Sequence, residues 1–149
     1  MADLRLEKAE IEDLGAIMAL EKSCFKDPWS EGMMRGELEY KNTLFFVLKE
    51  ESELLGFAAL RCILDEGHVM NIAVSEKERG KGYGKILLKG LISAARERGV
   101  FHITLEVRAG NEPAINLYKS FHFALEGIRP KYYADGENAL IMWLHEEGK

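Results

Sequence analysis

Cysteine and histidine are scarce in this chain of 149 residues. It contains two cysteines, Cys24 and Cys62, and four histidines that are scattered along the sequence. Two thiols do not make a disulfide framework, and the spacing of the histidines matches no metal-binding motif. We therefore expect both cysteines to be reduced, the protein to be cytoplasmic, and no metal ion to be bound.

Positive charge and long apolar runs are also in short supply. The 20 basic residues are outnumbered by 25 acidic ones, which gives a net charge of -5. A general nucleic-acid binder needs a broad basic face, so we expect no nucleic-acid partner. No stretch approaches the roughly 20 apolar residues of a membrane span. Because the start of the chain lacks the basic and apolar regions of a signal peptide, we expect no membrane association.

Low-complexity tracts, internal repeats and linkers are missing as well. The composition, 47% hydrophobic and 30% charged, is that of an ordinary globular protein. A chain of this length has the size of one domain and buries most of the surface that its unfolded state exposes. We therefore predict a single domain over residues 1–149.

Apolar periodicity predicts a mixed α/β fold with the element order β-α-α-β-β-β-α-β-α-β-β. Ser30 is predicted to cap the second helix, Asn111 to cap the last one, and Gly99 to end the long third helix. The strand–helix–strand order in the second half implies a right-handed crossover and one parallel strand pair. The turn sequence ADGE predicts an antiparallel hairpin at the end. The expected architecture is a mixed sheet with helices on both faces.

The segment SEKERGKGYGK, residues 75–85, has three glycines at every second position directly before an apolar helix pattern. This spacing matches neither the dinucleotide fingerprint nor the P-loop. Glycines still let backbone N–H groups approach an anion, and the positive end of the following helix favours one. Arg79, Lys81 and Lys85 add positive charge. The segment indicates an anion site, with a flexible turn that carries solvated lysines as the alternative.

A second group of polar residues lies in the segment LEVRAGNEPAINLY, residues 105–118. The pattern places Glu106 near the end of a strand and Tyr118 on the next helix, with Asn111 between them. In α/β folds such a strand end opens onto the crevice where ligands bind. Two structural interpretations stay open, in which Glu106 pairs with Arg108 and Tyr118 is an ordinary core tyrosine.

Together these segments resemble the GCN5-related N-acetyltransferase (GNAT) superfamily. Its pyrophosphate loop, Arg/Gln-x-x-Gly-x-Gly/Ala, is matched by Arg79, Gly82 and Gly84, and the element order is similar over nearly the whole chain. The segments CFKDPWS, NIAV, LEVRAGNEPAINLY and PKYYADGENALIM resemble the bacterial ribosomal-protein-alanine N-acetyltransferases. The stretch KYYADGENA is also similar to catalytic subunits of eukaryotic and archaeal N-terminal acetyltransferases.

The resemblance implies an enzyme that moves an acetyl group from acetyl-CoA, its co-substrate, to a protein N-terminal α-amine. The implied acceptor is a ribosomal protein that begins with alanine. The amine attacks directly, through a tetrahedral intermediate, with Glu106 as general base and Tyr118 as general acid. The cofactor-binding residues carried over from the family are Ile72, Ala73, Val74, Arg79, Gly80, Lys81, Gly82, Tyr83, Gly84, Lys85 and Asn111. Trp29, Tyr132 and Tyr133 are expected to border the acceptor groove, with a hydrophobic anchor as the alternative for Trp29.

Two positions depart from the family pattern. His122 stands where the family usually has glycine, so a left-handed backbone there would be strained. Asn138 stands where relatives often carry an acidic residue, which alters the expected groove. Two other functions stay open besides N-terminal acetylation. One is acetylation of lysine side chains or small amines, and the other is non-catalytic acyl-CoA binding. The sequence leaves the oligomeric state unknown.

Overall fold

Seven strands form one sheet in the computed structural model, which describes residues 3–146. The strands are β1 (Leu4–Lys8), β2 (Thr43–Glu50), β3 (Glu53–Ile63), β4 (Glu66–Val74), β5 (His102–Arg108), β6 (Ala124–Arg129) and β7 (Ala139–His145). The helices are α1 (Leu14–Cys24), α2 (Glu31–Glu39), α3 (Tyr83–Glu97) and α4 (Glu112–Ser120). The predicted order of elements is therefore confirmed.

The strand order in the sheet is β1-β2-β3-β4-β5-β7-β6. Every neighbouring pair is antiparallel except β4 and β5, which confirms the predicted single parallel pair. That pair is short, because only residues 66–68 of β4 and 102–104 of β5 are in register. Beyond them the two strands part, and the sheet opens at their carboxyl ends.

Alternating side chains of the central strands supply two hydrophobic cores, one on each face of the sheet. Leu48 and Leu60 are buried on the face that α3 and α4 cover. Val47 and Phe57 are buried on the opposite face, under α1 and α2. Helices thus cover both faces, as the sequence predicts. No helix within residues 3–146 is long and apolar enough to cross a membrane.

The predicted helix ends are confirmed by their backbone geometry. The Ser30 hydroxyl accepts a hydrogen bond from the Met33 N–H at 3.1 Å, and the Asn111 side chain accepts one from the Ala114 N–H at 3.3 Å. Gly99 follows α3 with φ of 80°, the left-handed conformation that glycine adopts without strain. These caps fix where the loops around the site begin.

The turn after β6 differs from its prediction, and the turn after α4 contains a left-handed histidine. The strand predicted over FALEGIRPKYY ends at Arg129, since Pro130 has no N–H to donate to a ladder and Lys131 has φ of 52°. The ADGE turn therefore lies in a long connection, residues 130–138, instead of a tight hairpin. His122 has φ of 73°, so the backbone is left-handed where the family usually has glycine, although the residue is a histidine.

Candidate active site

The parting of β4 and β5 opens into a cavity of about 590 Å³. Its walls come from α1 and the loop after it, from β4, β5 and α4, and from the β6–β7 connection. An extra residue in β4, Met70, interrupts the register with β3 beside this cavity. Such bulges bend a strand and are common next to active sites.

All five predicted catalytic and acceptor residues line this cavity, although they are far apart in the sequence. Glu106 and Tyr118 both line it, and so do Trp29, Tyr132 and Tyr133. Of the predicted cofactor residues, Ile72 and Asn111 line the cavity. The others lie outside the cavity lining. Ala73 and Val74 end β4, and the segment 79–85 runs from the loop after β4 into the first turn of α3.

The glycine segment has the backbone geometry of an anion-binding turn. Gly80 and Gly82 have φ of 86° and 84°, values that favour glycine over other residues. Gly82 is also the N-cap of α3, so the unpaired N–H groups of the first turn of this 15-residue helix adjoin the segment. A Cβ on Gly84 would lie 3.3 Å from Leu117 of α4, which accounts for a small residue there.

Arg79 and Lys81 are not equally available to an anion. The Arg79 guanidinium donates to the Val74 carbonyl at 3.2 Å and contacts the Cys24 sulfur at 3.4 Å. This places Arg79 against the end of β4. Lys81 pairs with Glu78 at 2.6 Å, and this carboxylate raises the pKa of Lys81. The Lys81 side chain is exposed beside the glycine segment.

Glu106 lies on β5 and forms an ion pair with Arg129 at the end of β6. The alternative in which Glu106 pairs with Arg108 is not found, since Arg108 contacts carboxylates on other segments. The charge of Glu106 and a hydrogen bond to it raise the pKa of Tyr132. The Glu106 side chain is 31% exposed, so its carboxylate is reachable from the cavity.

Tyr118 is buried on α4, with its ring 5.9 Å from that of Phe123. Burial raises its pKa to about 12, and the nearby Tyr133 adds to the shift. Among residues 3–146 the phenol has no hydrogen-bond partner, and it is not sealed from the cavity. The core interpretation is therefore correct for the ring, and the phenol remains a protonated donor at the cavity wall.

The predicted acceptor-groove residues come from two parts of the cavity wall, the loop after α1 and the β6–β7 connection. Trp29 lines the cavity and also packs against the core under α1 and α2, so the hydrophobic-anchor interpretation is confirmed and the acceptor role stays a prediction. Tyr132 and Tyr133 stand on the other wall, with ring centroids 5.1 Å apart in an edge-to-face arrangement. Asn138 accepts a hydrogen bond from the Lys131 N–H at 3.0 Å, so its amide holds the connection that carries these tyrosines.

Comparison with known proteins identifies the fold and its chemistry. The model of the "Acetyltransferase (GNAT) family" matches residues 14–123. The chain belongs to the GNAT acetyltransferase family. GNAT proteins are acyltransferases, and the resemblance read from the glycine segment and the segment 105–118 is thereby confirmed.

Two relatives that match along more than 90% of this chain are named as N-acetyltransferases. The ribosomal protein bS18-alanine N-acetyltransferase of Escherichia coli (strain K12) is 37% identical over 142 residues, covering 93% of this chain and 95% of that protein. Its crystal structure matches with a TM-score of 0.89, over 96% and 94% of the two chains. An N-alpha-acetyltransferase of Sulfurisphaera tokodaii is 30% identical, covering 94% and 92%. Arabidopsis thaliana NAA60 in complex with acetyl-CoA, 16% identical, shares the fold with a TM-score of 0.89.

Glu21 is a GNAT cavity residue that the sequence reasoning missed. This α1 carboxylate is 1% exposed and accepts hydrogen bonds from the Trp29 N–H and the Asn71 side chain, each at 2.9 Å. Burial raises its pKa, while the two hydrogen bonds oppose that shift. Its spacing of four and seven residues from Ile17 and Leu14 is the signal that could have placed it on the buried side of α1.

Arg108 is a second cavity residue that the sequence reasoning missed, because it was treated only as a partner of Glu106. Its guanidinium contacts Asp27 in the loop after α1 at 3.1 Å, and Asp135 and Glu137 in the β6–β7 connection at 3.0 Å. No local sequence signal predicts these contacts, since the partners are 81 and 27–29 residues away.

The cysteines and histidines differ in part from their expected positions. Cys24 and Cys62 are free, and Cys62 lies on β3. Cys24 ends α1 beside the Val74 carbonyl, where it is half-buried and packs against the core under α1 and α2. The scattered histidines are not all isolated, because the Nδ1 atoms of His102 and His145 lie 2.9 Å apart on paired strands.

Proposed function

We propose that this chain transfers the acetyl group of acetyl-CoA to the N-terminal α-amine of a ribosomal protein that begins with alanine. The observation that carries the proposal is the meeting of Glu106 and Tyr118 at one cavity where β4 and β5 part. The E. coli relative is named for this acceptor, and the Sulfurisphaera relative for α-amine acetylation. Their high coverage supports the same activity here.

The residues around the opening fit acetyl-CoA. The diphosphate suits the backbone N–H groups at the N-terminus of α3 and in the left-handed turn of Gly80 and Gly82. Arg79 and Lys81 are the nearby cations. Ile72, Ala73 and Val74 follow the part of β4 that has no partner in β5, and this edge suits the pantetheine arm. Tyr83, Lys85 and Asn111 complete the proposed cofactor surface. Acetyl-CoA supplies the thioester, and the protein supplies the groups that orient it.

Glu106 is the proposed general base. An α-amine has a pKa of roughly 7.7–8.0, against about 10.4 for lysine, so a far larger fraction of α-amines is neutral at physiological pH. A carboxylate within hydrogen-bond reach, directly or through water, then suffices to take the proton that the attacking amine loses. Because Arg129 is 56% exposed, it is free to move aside when an amine approaches Glu106.

Tyr118 is the proposed proton donor to the sulfur that leaves. Its raised pKa of about 12 keeps the phenol protonated at every physiological pH. A thiol has a pKa of about 8.5, so complete transfer to a free thiolate would be uphill. We infer that Tyr118 stabilises the developing thiolate with a short hydrogen bond as the C–S bond breaks, and that the uphill transfer of its proton to sulfur is completed when the phenolate regains a proton from solvent. Backbone N–H groups of β4 beyond residue 68 are the proposed donors to the oxyanion.

A matched pair of peptides tests the acceptor. The first begins with a free alanine, and the second has the same sequence with a blocked terminus and one internal lysine. We expect acetyl-CoA to add 42 Da, roughly the mass of an acetyl group, to the first peptide and to ribosomal proteins at their amino termini only, by mass spectrometry. Acetylation of lysine or polyamines alone would assign the other acceptor class. Coenzyme A binding without any transfer would leave a binding module.

The variant Glu106→Gln tests the base. Without a carboxylate, only amines already neutral in solution react, so log kcat/KM should rise with a slope near one up to about pH 8. The wild-type enzyme should show a flatter profile, because Glu106 accepts the proton of a bound ammonium. A small loss that is the same at every pH would show that bulk water takes the proton, and would remove Glu106 from this role.

A further inference from the structure

Arg108 stands beside the proposed base and holds together segments that are far apart in the chain. It is two residues after Glu106 on β5, so both side chains point to the same face of the sheet and both line the cavity. The Arg108 side chain is 21% exposed, less than those of its three carboxylate partners. It is the most enclosed member of this charged cluster.

The contacts of Arg108 join the two walls of the cavity. One guanidinium nitrogen contacts Asp27, in the loop that carries Trp29. The other contacts both oxygens of Asp135, at 3.1 and 3.0 Å, and one oxygen of Glu137 at 3.0 Å. The guanidinium carbon also lies 4.0 Å from the centroid of the Tyr133 ring, close enough for a cation–π interaction.

The partners of Arg108 are themselves anchored, so the connection it makes is stiff. The second Glu137 oxygen accepts from the Gly110 N–H at 2.8 Å, and Asp135 accepts from the Glu137 N–H at 3.0 Å. Lys26 forms a second, exposed bridge between the walls, to Asp135 at 3.2 Å. A planar guanidinium that contacts two carboxylates with different nitrogens fixes their separation, which a lysine ammonium does less well.

We propose that Arg108 is a positioning residue of the acceptor site. By joining the loop after α1 to the β6–β7 connection, it sets the width of the groove and holds Tyr133 beside Glu106. This inference rests on the proposed function, because the groove is taken to receive the amino-terminal residues of the acceptor. A group that fixes the walls, and does not touch the reacting atoms, acts mainly on acceptor binding and orientation.

Acetylation kinetics with the alanine peptide test this inference. Arg108→Gln should raise the KM for the peptide about tenfold or more, since loss of orientation by about 1 Å costs up to two orders of magnitude. The kcat should fall less, and the Kd for coenzyme A should stay within about twofold, because the glycine segment is untouched. Arg108→Lys should recover part of the KM effect. Arg96→Gln, which breaks an exposed pair with Glu146 away from the cavity, is the control.

A double-mutant cycle separates positioning from simple loss of stability. Asp27→Asn and Glu137→Gln have no direct contact in the structure, and both residues contact Arg108. Their effects on KM should be non-additive with Arg108 present and additive in the Arg108→Gln background. Coupling that persists without Arg108, or a KM equal to that of the Arg96→Gln control, would overturn the inference.

Hydrogen exchange gives a readout that needs no acceptor. Arg108→Gln should increase amide exchange in residues 25–29 and 131–137 together, while Arg96→Gln should change neither segment. An increase in one segment only would show that Arg108 does not join the two walls. If the wild-type protein acetylates no α-amine, the proposed function fails, and the exchange data still decide whether Arg108 holds the cavity walls together.

Discussion

Glu106 and Tyr118 reach one cavity from different elements, and their surroundings give them different properties. Glu106 is partly exposed and forms an ion pair with Arg129. Tyr118 is buried, and its raised pKa keeps it a donor. Two ionisable groups with such unlike environments suit the base and acid of one reaction.

Removal of the Tyr118 hydroxyl should affect catalysis far more than folding. Tyr118→Phe keeps the ring against Phe123, and the hydroxyl has no hydrogen-bond partner within residues 3–146. We expect kcat to fall by about 10² or more, as for loss of a general acid, with the KM for acetyl-CoA changed by less than about threefold. Steady-state kinetics and a thermal melt measure both effects.

The control for this variant is Tyr40→Phe, at the exposed end of α2. It removes the same hydroxyl from a surface position and should leave kcat unchanged. If Tyr118→Phe turns over at the wild-type rate, the thiolate leaves without help from Tyr118, and the acid role is withdrawn.

Asp135 should make stability depend on pH in the acid range. The Glu137 N–H, with Lys26 and Arg108, lowers the pKa of Asp135 from its ordinary value of 3.8 to about 2. The unfolded state therefore binds more protons than the folded state between these two values. The stabilisation by Asp135 is complete above the ordinary pKa and is lost as the pH falls toward about 2.

Urea unfolding at a series of pH values checks this expectation. The difference in unfolding midpoint between wild type and Asp135→Asn should be full at about pH 5 and above, and should shrink toward about pH 2. Asp65→Asn, at a residue without an ion pair in the described part of the chain, should show no such trend. A difference that grows as the pH falls would contradict the depressed pKa.

At the scale of elements, local sequence signals were enough for the type and order of the helices and strands. Ser30, Asn111 and Gly99 carry their own chemical reason for ending a helix, and apolar periodicity identified the core faces. The resemblance to a family, not periodicity, assigned roles to Glu106 and Tyr118. The ion pairs of Arg108 and Arg129 were not predicted, because they join segments that only the folded sheet brings together.

The β6–β7 connection is a second feature that local sequence signals did not predict correctly. The turn residues ADGE were recognised, yet the strand before them was predicted to run to Tyr133. Propensity favours a strand there, since tyrosines are good strand formers, but Pro130 and the left-handed Lys131 end it at Arg129. Long-range contacts from Arg108 to Asp135 and Glu137 then hold the connection in place.

Helix α3 offers a matched test of its two ends. Gly82 at its start and Gly99 after its end have φ of 84° and 80°, and a Cβ at either position would meet open space. Alanine at each site should therefore cost similar stability, about 1 kcal/mol, from left-handed strain partly offset by unfolded-state entropy. Only Gly82→Ala should also weaken coenzyme A binding, by about tenfold, because only Gly82 adjoins the proposed diphosphate site.

Urea unfolding measures the first effect, and calorimetry with coenzyme A measures the second. Gly99→Ala serves as the control, since it reproduces the strain at the far end of the same helix. Equal coenzyme A affinities in the two variants would remove the glycine segment from the binding site, even if the loss of stability is as expected.

At the scale of the whole molecule, the sheet has two antiparallel parts joined by one short parallel pair. Strands β1 to β4 form one part and β5 to β7 the other, and only three residue pairs connect them. The hydrophobic core under α3 and α4 spans both parts, whereas the core under α1 and α2 is built from β2, β3 and β4. The joint between the parts is where the cavity lies, so the proposed substrate should stabilise both.

Coenzyme A should therefore contact both parts of the sheet and stabilise the connection between them. At 100 times its Kd, a ligand that binds only the folded state adds about 2.7 kcal/mol, which corresponds to a rise in Tm of roughly 5–11 °C for a chain of this size. Hydrogen exchange should slow on both sides of the joint, in residues 69–86 and in residues 105–118, because the ligand lies between β4 and β5. Thermal melts at several coenzyme A concentrations and exchange mass spectrometry provide the two measurements. Protection confined to the start of α3 would mean that the ligand binds the glycine segment alone and does not enter the opening between the strands.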